Sequence, residues 1–431
     1  MLDIRFIREN ADRVQEASRQ KGYDVNIAEL LKLDDSRREL QQQVDELRTR
    51  RNEVASRMKG GKPDQATIDE GKQIKVELAE RESYLANADI EFIALLKKIP
   101  NMPLDFVPIG ASEDENVVTK NVGDLPKFDF KPKSHAEIAE AKGWLDKERA
   151  AKVAGARFAY IKGDLFMLDW ATKTFVLNEL TNHDLIARLI SENNLNLTPT
   201  AFTPVDPPYV ARTDVYDATG RLNREETTYK LADDDLWLNA SAEHVLAPMY
   251  LNETLNEGDL PIRYVGYTTA FRREAGTYGK DTEGFLRMHQ FNKLEMETFS
   301  TPETSLDEHK LMVAIQEHIM GKLQLPYRVV QKCTADIGGP NANGIDIDVW
   351  LPSQDTYRET HTADLITDYQ TRRMNTKVRR SDGSLVLAHT NDATALSQRP
   401  LIAILENYQT AEGDVMIPEV LRSYLGGRDK I

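Results

Sequence analysis

Residues 268–297, TTAFRREAGTYGKDTEGFLRMHQFNKLEME, concentrate the groups best suited to hold a nucleotide. Arg272 and Glu274 are two apart, so on a strand both side chains point to one face. A turn containing Gly276, Gly279 and Gly284 follows. A second strand-like run then carries Arg287, His289, Phe291, Lys293 and Glu295 at period two. Such a hairpin presents arginine, aromatic and carboxylate groups on one surface. Arginine's planar fork matches a phosphate, and Phe291 offers a face for a base. The alternative is a solvated hairpin with one aromatic turned to the core; the residues alone leave both open.

A second candidate is HTNDATALSQRPLIAILENYQ, residues 389–409. Arg399 stands at the start of an apolar helix carrying Leu401, Ile402, Ile404 and Leu405, where an anion would be favoured. An arginine so placed is commonly just a surface residue. Neither a GxxxxGK stretch ending in Ser or Thr nor a GxGxxG opening a helix occurs, so any nucleotide is held without a P-loop.

The elements that must position these groups are of two kinds. From Leu30 the apolar positions recur as a heptad, with Leu33, Leu40, Leu47 and Val54 on one seam and Leu30, Val44 and Met58 beside it. Arg37 and Arg51 interrupt the second row. Gly60-Gly61-Lys62-Pro63 breaks the helix, and Leu78, Leu85, Phe92 and Ile99 resume a sevenfold spacing beside Ile74, Ala88 and Leu95. Two such helices fold back antiparallel to hide their stripes, and each arm of about 30 residues reaches roughly 45 Å. Periodicity alone allows a dimerisation or spacer element as readily as a probe whose Arg48, Arg50, Arg57, Lys59, Lys72 and Lys75 grip phosphates.

Pro100 to about Lys133 reads as a linker rich in Pro, Gly and acidic residues. Beyond it, apolar clusters alternate with turn signals, as in Ala159-Tyr160-Ile161, Lys162-Gly163-Asp164 and Leu165-Phe166-Met167-Leu168. Helical stretches at 174–194 and 303–323 lie between strand-like runs. Mixed strands and helices without regular βαβ alternation predict an α+β domain with a largely antiparallel sheet.

The 431 residues suit two domains, and an apolar content of 40 % provides a core. Apolar runs are too short to span a bilayer, and MLDIRFIREN alternates charges where a signal peptide needs an apolar stretch. Cys333 stands alone, which excludes an internal disulfide and a zinc site of several thiolates. These features point to the cytoplasm and to no membrane partner. The net charge of −15 is uneven, because residues 1–100 hold 19 basic against 20 acidic side chains. A bound nucleic acid would therefore find its basic stripes most readily in the N-terminal part.

Together these segments resemble the three ordered motifs of class II aminoacyl-tRNA synthetases, and specifically the seryl-tRNA synthetase family. The likeness covers nearly the whole chain. MLDIRFIREN and LLKLDDSRRELQQQVDELRTRRNEV resemble the family's tRNA-binding domain, and IPNMP and FDFKPKSH its linker. AFTPVDPPYV supplies Pro207 or Pro208 for the proline that ends the first motif at a homodimer interface. FRREAG with RMHQFNKLE is similar to the second motif, and the Arg399 helix with ENYQ and IPEVLRSYL to the third.

The resemblance implies domains at 1–100, with the coiled-coil arm at about 30–99, and at 134–431, a class II antiparallel catalytic domain. It implies ATP, Mg²⁺ and L-serine as ligands, and tRNA(Ser) as the partner of the arm, recognised by shape rather than anticodon. No DNA partner is implied, and a selenocysteine tRNA stays open as a further acceptor. Arg272 is expected on the α-phosphate with Arg273 beside it, Glu274 on the adenine amino group, Phe291 stacked on the ring, and Arg399 on the γ-phosphate. Arg272 and Arg399 would be the catalytic pair. Glu359, in YRETHTADLITDYQTRR, matches the carboxylate that binds metal and ATP. Thr362 stands where the family has a serine hydroxyl, with Thr360 and His361 between them. Ser241-Ala242-Glu243 resembles the Thr-Ala-Glu stretch that contacts the amino acid, and Glu295 the acid that reads its hydroxyl.

Three departures stand out. Ser241 replaces Thr, ETHT replaces Glu-x-Ser-Ser, and the third motif is one residue short before Arg399, with Asp392 at a usual Asn. Counting from His389 puts Thr394 at the substrate contact, whereas counting back from Arg399 puts Ala393 there; Thr394 is preferred. A synthetase-like ligase loading a carrier protein would resemble the catalytic half but lack the arm. An inactive paralogue acting as a binding module would be expected to lose the motif arginines or acids, all of which are present.

Overall fold

The structure, a computed structural model, describes residues 1–59, 64–222, 227–274 and 284–431. The expected turn at Gly60–Pro63 and the turn glycines Gly276 and Gly279 lie outside the described residues. Two compact units emerge, Met1–Met102 and Pro103–Ile431.

The first unit is helical. Ile27–Lys59 and Gln65–Lys98 are helices of 33 and 34 residues, each about 50 Å long at 1.5 Å per residue. They pack on each other through Val44, Leu47 and Val54 against Ile74, Leu78 and Leu85, with Leu40 and Met58 at the margin. The interruption at Arg37 has a physical reason. Asp34 is fully buried, and Arg8, Arg37 and Arg38 converge on its carboxylate at 2.7, 3.1 and 3.0 Å. Arg37 also lies over the Phe92 ring and so fills an apolar place with its flat guanidinium.

The second unit is built on an eight-stranded sheet. Its strands are β1 (Val117–Val122), β2 (Thr203–Val205), β3 (Ile262–Phe271), β4 (Gln290–Ser300), β5 (Tyr327–Gln331), β6 (Asn343–Leu351), β7 (Thr356–Thr367) and β8 (His389–Leu396). Their order is β1-β5-β6-β7-β8-β4-β3-β2, and every neighbouring pair is antiparallel except β2 with β3. The antiparallel α+β architecture is as expected. The stretch read as a linker does more than connect, because its residues 117–122 form the edge strand β1.

One face of the sheet carries the core. Leu294 and Met296 of β4, Ala393 and Ala395 of β8, Ala363 of β7 and Ile347 of β6 pack with three helices, Gly163–Leu180, Ser305–Lys322 and Arg399–Asn407. The run Leu165–Leu168, which looked like an apolar cluster between turns, lies inside the first of these helices. Leu165, Leu168, Phe175 and Val176 recur at helical spacing and are buried. No helix among the described residues is long and apolar enough to cross a membrane.

Strand alternation then turns Phe291, Lys293, Glu295 and Glu297 to the opposite face. Two irregularities shape that face. The β6–β7 register shifts so that Ile347 opposes His361 while Asp348 opposes Glu359. Thr360 is the extra residue, and the bulge brings Glu359 and Thr362 to the same face although they are three apart. A second shift between Thr394 and Leu396 leaves Ala395 as the extra residue of β8. Beneath both, the buried Gln316 amide donates to the Thr362 and Thr394 carbonyls at 2.9 Å each.

Candidate active site

The nucleotide-like groups meet at the upper end of β3, β4, β7 and β8. Arg272 and Glu274 follow the last residue of β3, and Glu274 adopts a left-handed φ of 47°. Strand alternation therefore does not place them, yet both line one cavity of about 140 Å³ with Phe291, Lys293, Glu359, Thr362, Thr394 and Arg399. The Arg272 Nε donates to the Ala240 carbonyl at 3.1 Å, and its guanidinium sits 5.1 Å from the Phe291 ring centre. Arg287 Nη1 meets Glu274 Oε2 at 3.3 Å.

A larger cavity of about 480 Å³ shares Leu286, Arg287, Glu359 and Arg399 with the first. Arg287, Arg328, Arg358 and Arg399 put four guanidinium groups in its wall, facing the carboxylates of Glu113, Asp114, Asp336, Asp346, Asp348 and Glu359. This mixed set offers forks to phosphate oxygens and carboxylates to a cation. Arg399, in the first turn of its helix, lies 3.3 Å from Glu359 Oε1 and donates to the Glu359 carbonyl at 2.6 Å. Burial would raise the Glu359 carboxyl, but Arg399, then Lys332 and Arg272, outweigh it and hold it below its ordinary value. Asp346 opposes Thr362 in register, and the Asp346 carboxylate and the Thr362 hydroxyl face each other in the buried wall. With Glu359 on the same face, these hard oxygen donors fit a Mg²⁺ ion.

Deeper along β4 and β8 lies a polar pocket. Glu295 opposes Thr394 in register, and both are buried. Lys293 Nζ reaches Glu295 Oε2 at 2.5 Å and donates to Ser241 Oγ at 3.2 Å. Ser241 in turn is 3.4 Å from Glu243 Oε2. The short helix carrying Glu243 comes close to β3 at Gly266, where a Cβ would stand 2.7 Å from Leu246 and 3.3 Å from the Ala242 methyl. Ala242 is thus the packing surface that lets Ser241 and Glu243 face the sheet. Burial pushes the Glu295 carboxyl up to about 7, against the pull of Lys293. Burial also acts on Glu243, but Arg221 above all, with His244 and Lys293, holds its carboxyl well below the usual range.

Most of the expected groups therefore converge: Arg272, Glu274, Phe291, Glu359, Thr360, Thr362, Thr394 and Arg399 around the cavity, and Ser241, Glu243 and Glu295 behind Lys293. Ala393 instead lies in the core between Ala363 and Met296. Two expected nucleotide contacts stand apart. Arg273 donates to the Thr228 carbonyl at 2.8 Å and covers the Tyr229 ring. His361 is fully buried on the core face, and burial pushes its ring down to about 4. Pro207 is buried and Pro208 exposed, both just beyond the edge strand β2.

Sequence reasoning left out Arg328, Arg358 and Arg221 from the site. Lys293 and Arg287 lay in the period-two run and could have been included. Arg221 carried no local signal.

An antiparallel sheet that turns arginines and acids toward two adjoining cavities is the catalytic architecture of class II aminoacyl-tRNA synthetases. The model of the tRNA synthetase class II core domain (G, H, P, S and T) matches residues 227–408, and that of the seryl-tRNA synthetase N-terminal domain matches residues 1–103. A serine–tRNA ligase of Syntrophobacter fumaroxidans is 40 % identical over 438 residues, covering 100 % of both chains. The seryl-tRNA synthetase of Pyrococcus horikoshii, solved with ATP, superposes with a TM-score of 0.88 at 35 % identity, covering 100 % of this chain and 99 % of that one. A cytoplasmic serine–tRNA ligase of Naegleria fowleri, solved with AMP, gives 0.84 at 27 % identity, covering 100 % and 98 %. The chain belongs to the seryl-tRNA synthetase family.

Proposed function

We propose that this chain is a serine–tRNA ligase, which joins serine to ATP as seryl-adenylate and then passes the seryl group to the 3′ end of tRNA(Ser). The observation that carries the reading is the single cavity lined by Arg272, Phe291, Glu359, Thr394 and Arg399, with Lys293 linking it to Glu295, Ser241 and Glu243. In the first step a serine carboxylate oxygen attacks the α-phosphorus and pyrophosphate leaves. The protein needs no nucleophile of its own, so positioning and charge neutralisation dominate.

Arg272 holds the α-phosphate, and Phe291 and Glu274 hold the adenine. Arg399, with Arg287, Arg328 and Arg358 around the larger cavity, neutralises the outgoing pyrophosphate. Glu359 and Thr362, joined by Asp346, would hold Mg²⁺. That ion would neutralise phosphate charge when bound. Glu243 receives the serine ammonium, while Glu295 and Thr394 read its hydroxyl. Alanine is smaller than serine and cannot be excluded by size. It leaves Glu295 Oε1 without a hydrogen-bond donor while Lys293 stays on Oε2, a penalty of about 1–3 kcal/mol.

Residues 1–100 form the tRNA-binding domain and 134–431 the catalytic domain. The enzyme works in the cytoplasm as a homodimer. Support for the dimer is the outer edge of the sheet at β2 and the exposed Pro208. ATP–pyrophosphate exchange with each of the twenty amino acids, followed by charging of tRNA(Ser), tests the reading. Exchange that depends on serine, together with charging, is the expected result. Exchange without charging points to another acceptor, and no exchange with any amino acid rejects the reading.

A further inference from the structure

Below the Glu295–Thr394 level the sheet carries a second row of acids. Glu297 of β4, Asp392 of β8 and Asp364 of β7 stand side by side in register on three neighbouring strands. With Glu243 and Glu295 above them, five buried carboxylates share one small volume. Among the described residues, the Lys and Arg side chains in ion-pair contact with these acids are Lys293, on Glu295, and Arg221.

Arg221 spans the two levels. Its Nε lies 3.2 Å from Glu243 Oε1, and its Nη2 lies 2.9 Å from Asp392 Oδ2 and 3.7 Å from Asp364 Oδ2. The chain aims it there through Gly220, whose φ of +75° is unfavourable for other residues and whose Cβ would meet Arg373 Nη1 at 3.1 Å. The other contact to the same Glu243 oxygen is His244 Nε2, at 3.3 Å. The Ala240 N–H donates to His244 Nδ1, so Nε2 carries the ring proton and donates to Glu243.

We propose that Arg221 is a positioning residue of the amino-acid pocket, anchored by Asp392, which keeps Glu243 aimed and charged to receive the α-ammonium of the substrate. The proposal rests on the reading of this pocket as the serine site. A guanidinium hydrogen-bonded to Asp392 and ion-paired, without a hydrogen bond, to Glu243 reaches both carboxylates at once. Asp392 anchors the guanidinium by accepting from Arg221 Nη2 at 2.9 Å, while burial, and then Glu243, push its own carboxyl well above the ordinary value against the pull of Arg221. Losing Arg221 alone leaves Asp392 and Glu243 repelling each other, and Asp392→Asn removes that repulsion.

The test compares Arg221→Gln, Asp392→Asn and the double variant in pyrophosphate exchange, using the amino acid that supports exchange in the wild type, expected to be serine. Arg221→Gln should raise the KM for that amino acid by about tenfold or more, the equivalent of one charge-assisted contact. The KM for ATP should stay within about twofold, a change too small to reflect a lost contact. Adding Asp392→Asn should recover about half of that loss on a logarithmic scale, as expected for directly coupled sites. An unchanged amino-acid KM in Arg221→Gln overturns the proposal. So does an equal rise for ATP with a lowered melting temperature, or a double variant no better than the single one. If Arg221→Gln does not fold, Arg221→Lys takes its place, since it keeps the charge and loses the fork. The same split between the two KM values is expected there, and its absence overturns the proposal. A wild type that exchanges with another amino acid but not serine refutes the serine reading and leaves this test of Arg221 intact.

Discussion

Glu295→Gln removes one buried ionisable group while keeping the side chain's shape, so its effect isolates a proton. Burial drives the Glu295 carboxyl from its ordinary 4.5 up to about 7, with Lys293 opposing the rise and Glu243 adding to it. Between those values the folded protein holds a proton that the unfolded chain has already released. Stability therefore falls as pH rises through that window. At 1.36 kcal/mol per pH unit, the loss is about 3 kcal/mol once the group is fully ionised. The glutamine variant lacks this component, so its stability relative to wild type should improve by about 3 kcal/mol between pH 4.5 and roughly pH 8. Urea unfolding of both proteins across a pH series measures that difference directly. Parallel stability curves would refute the reasoning, as would an advantage that grows toward acid. The same change weakens the acceptor offered to the substrate hydroxyl. The preference for serine over alanine in exchange should accordingly fall by about tenfold.

Deleting residues 30–99 should spare serine-dependent pyrophosphate exchange and abolish charging of tRNA(Ser); loss of both would mean that the arm supports the fold instead. Gln316→Leu should destabilise the protein by about 2 kcal/mol or more, because the Thr362 and Thr394 carbonyls each lose a buried donor. A thermal melt indistinguishable from wild type would show that those bulges do not depend on it.

The arm and the shared face of Phe291, Lys293 and Glu295 could be read from the chain alone, because both rest on local repetition. Heptad spacing at Val44, Leu47, Ile74 and Leu78 dictates which helix faces must be hidden, whatever surrounds them. Period two along β4 likewise commits Phe291, Lys293 and Glu295 to one face as soon as the segment is a strand. Tertiary structure decided what repetition cannot encode. The bulge at Thr360 turned Glu359 and Thr362 to one face and sent His361 into the core, and a strand neighbour sets such a shift. The run Leu165–Leu168 became helix because its apolar residues found a sheet to cover. Arg221 belongs to the site only because Asp392, Asp364 and Glu243 surround it, and those partners lie far away in the chain. Charge balance in a buried cluster is a property of the volume it occupies, so folding alone brings it into being.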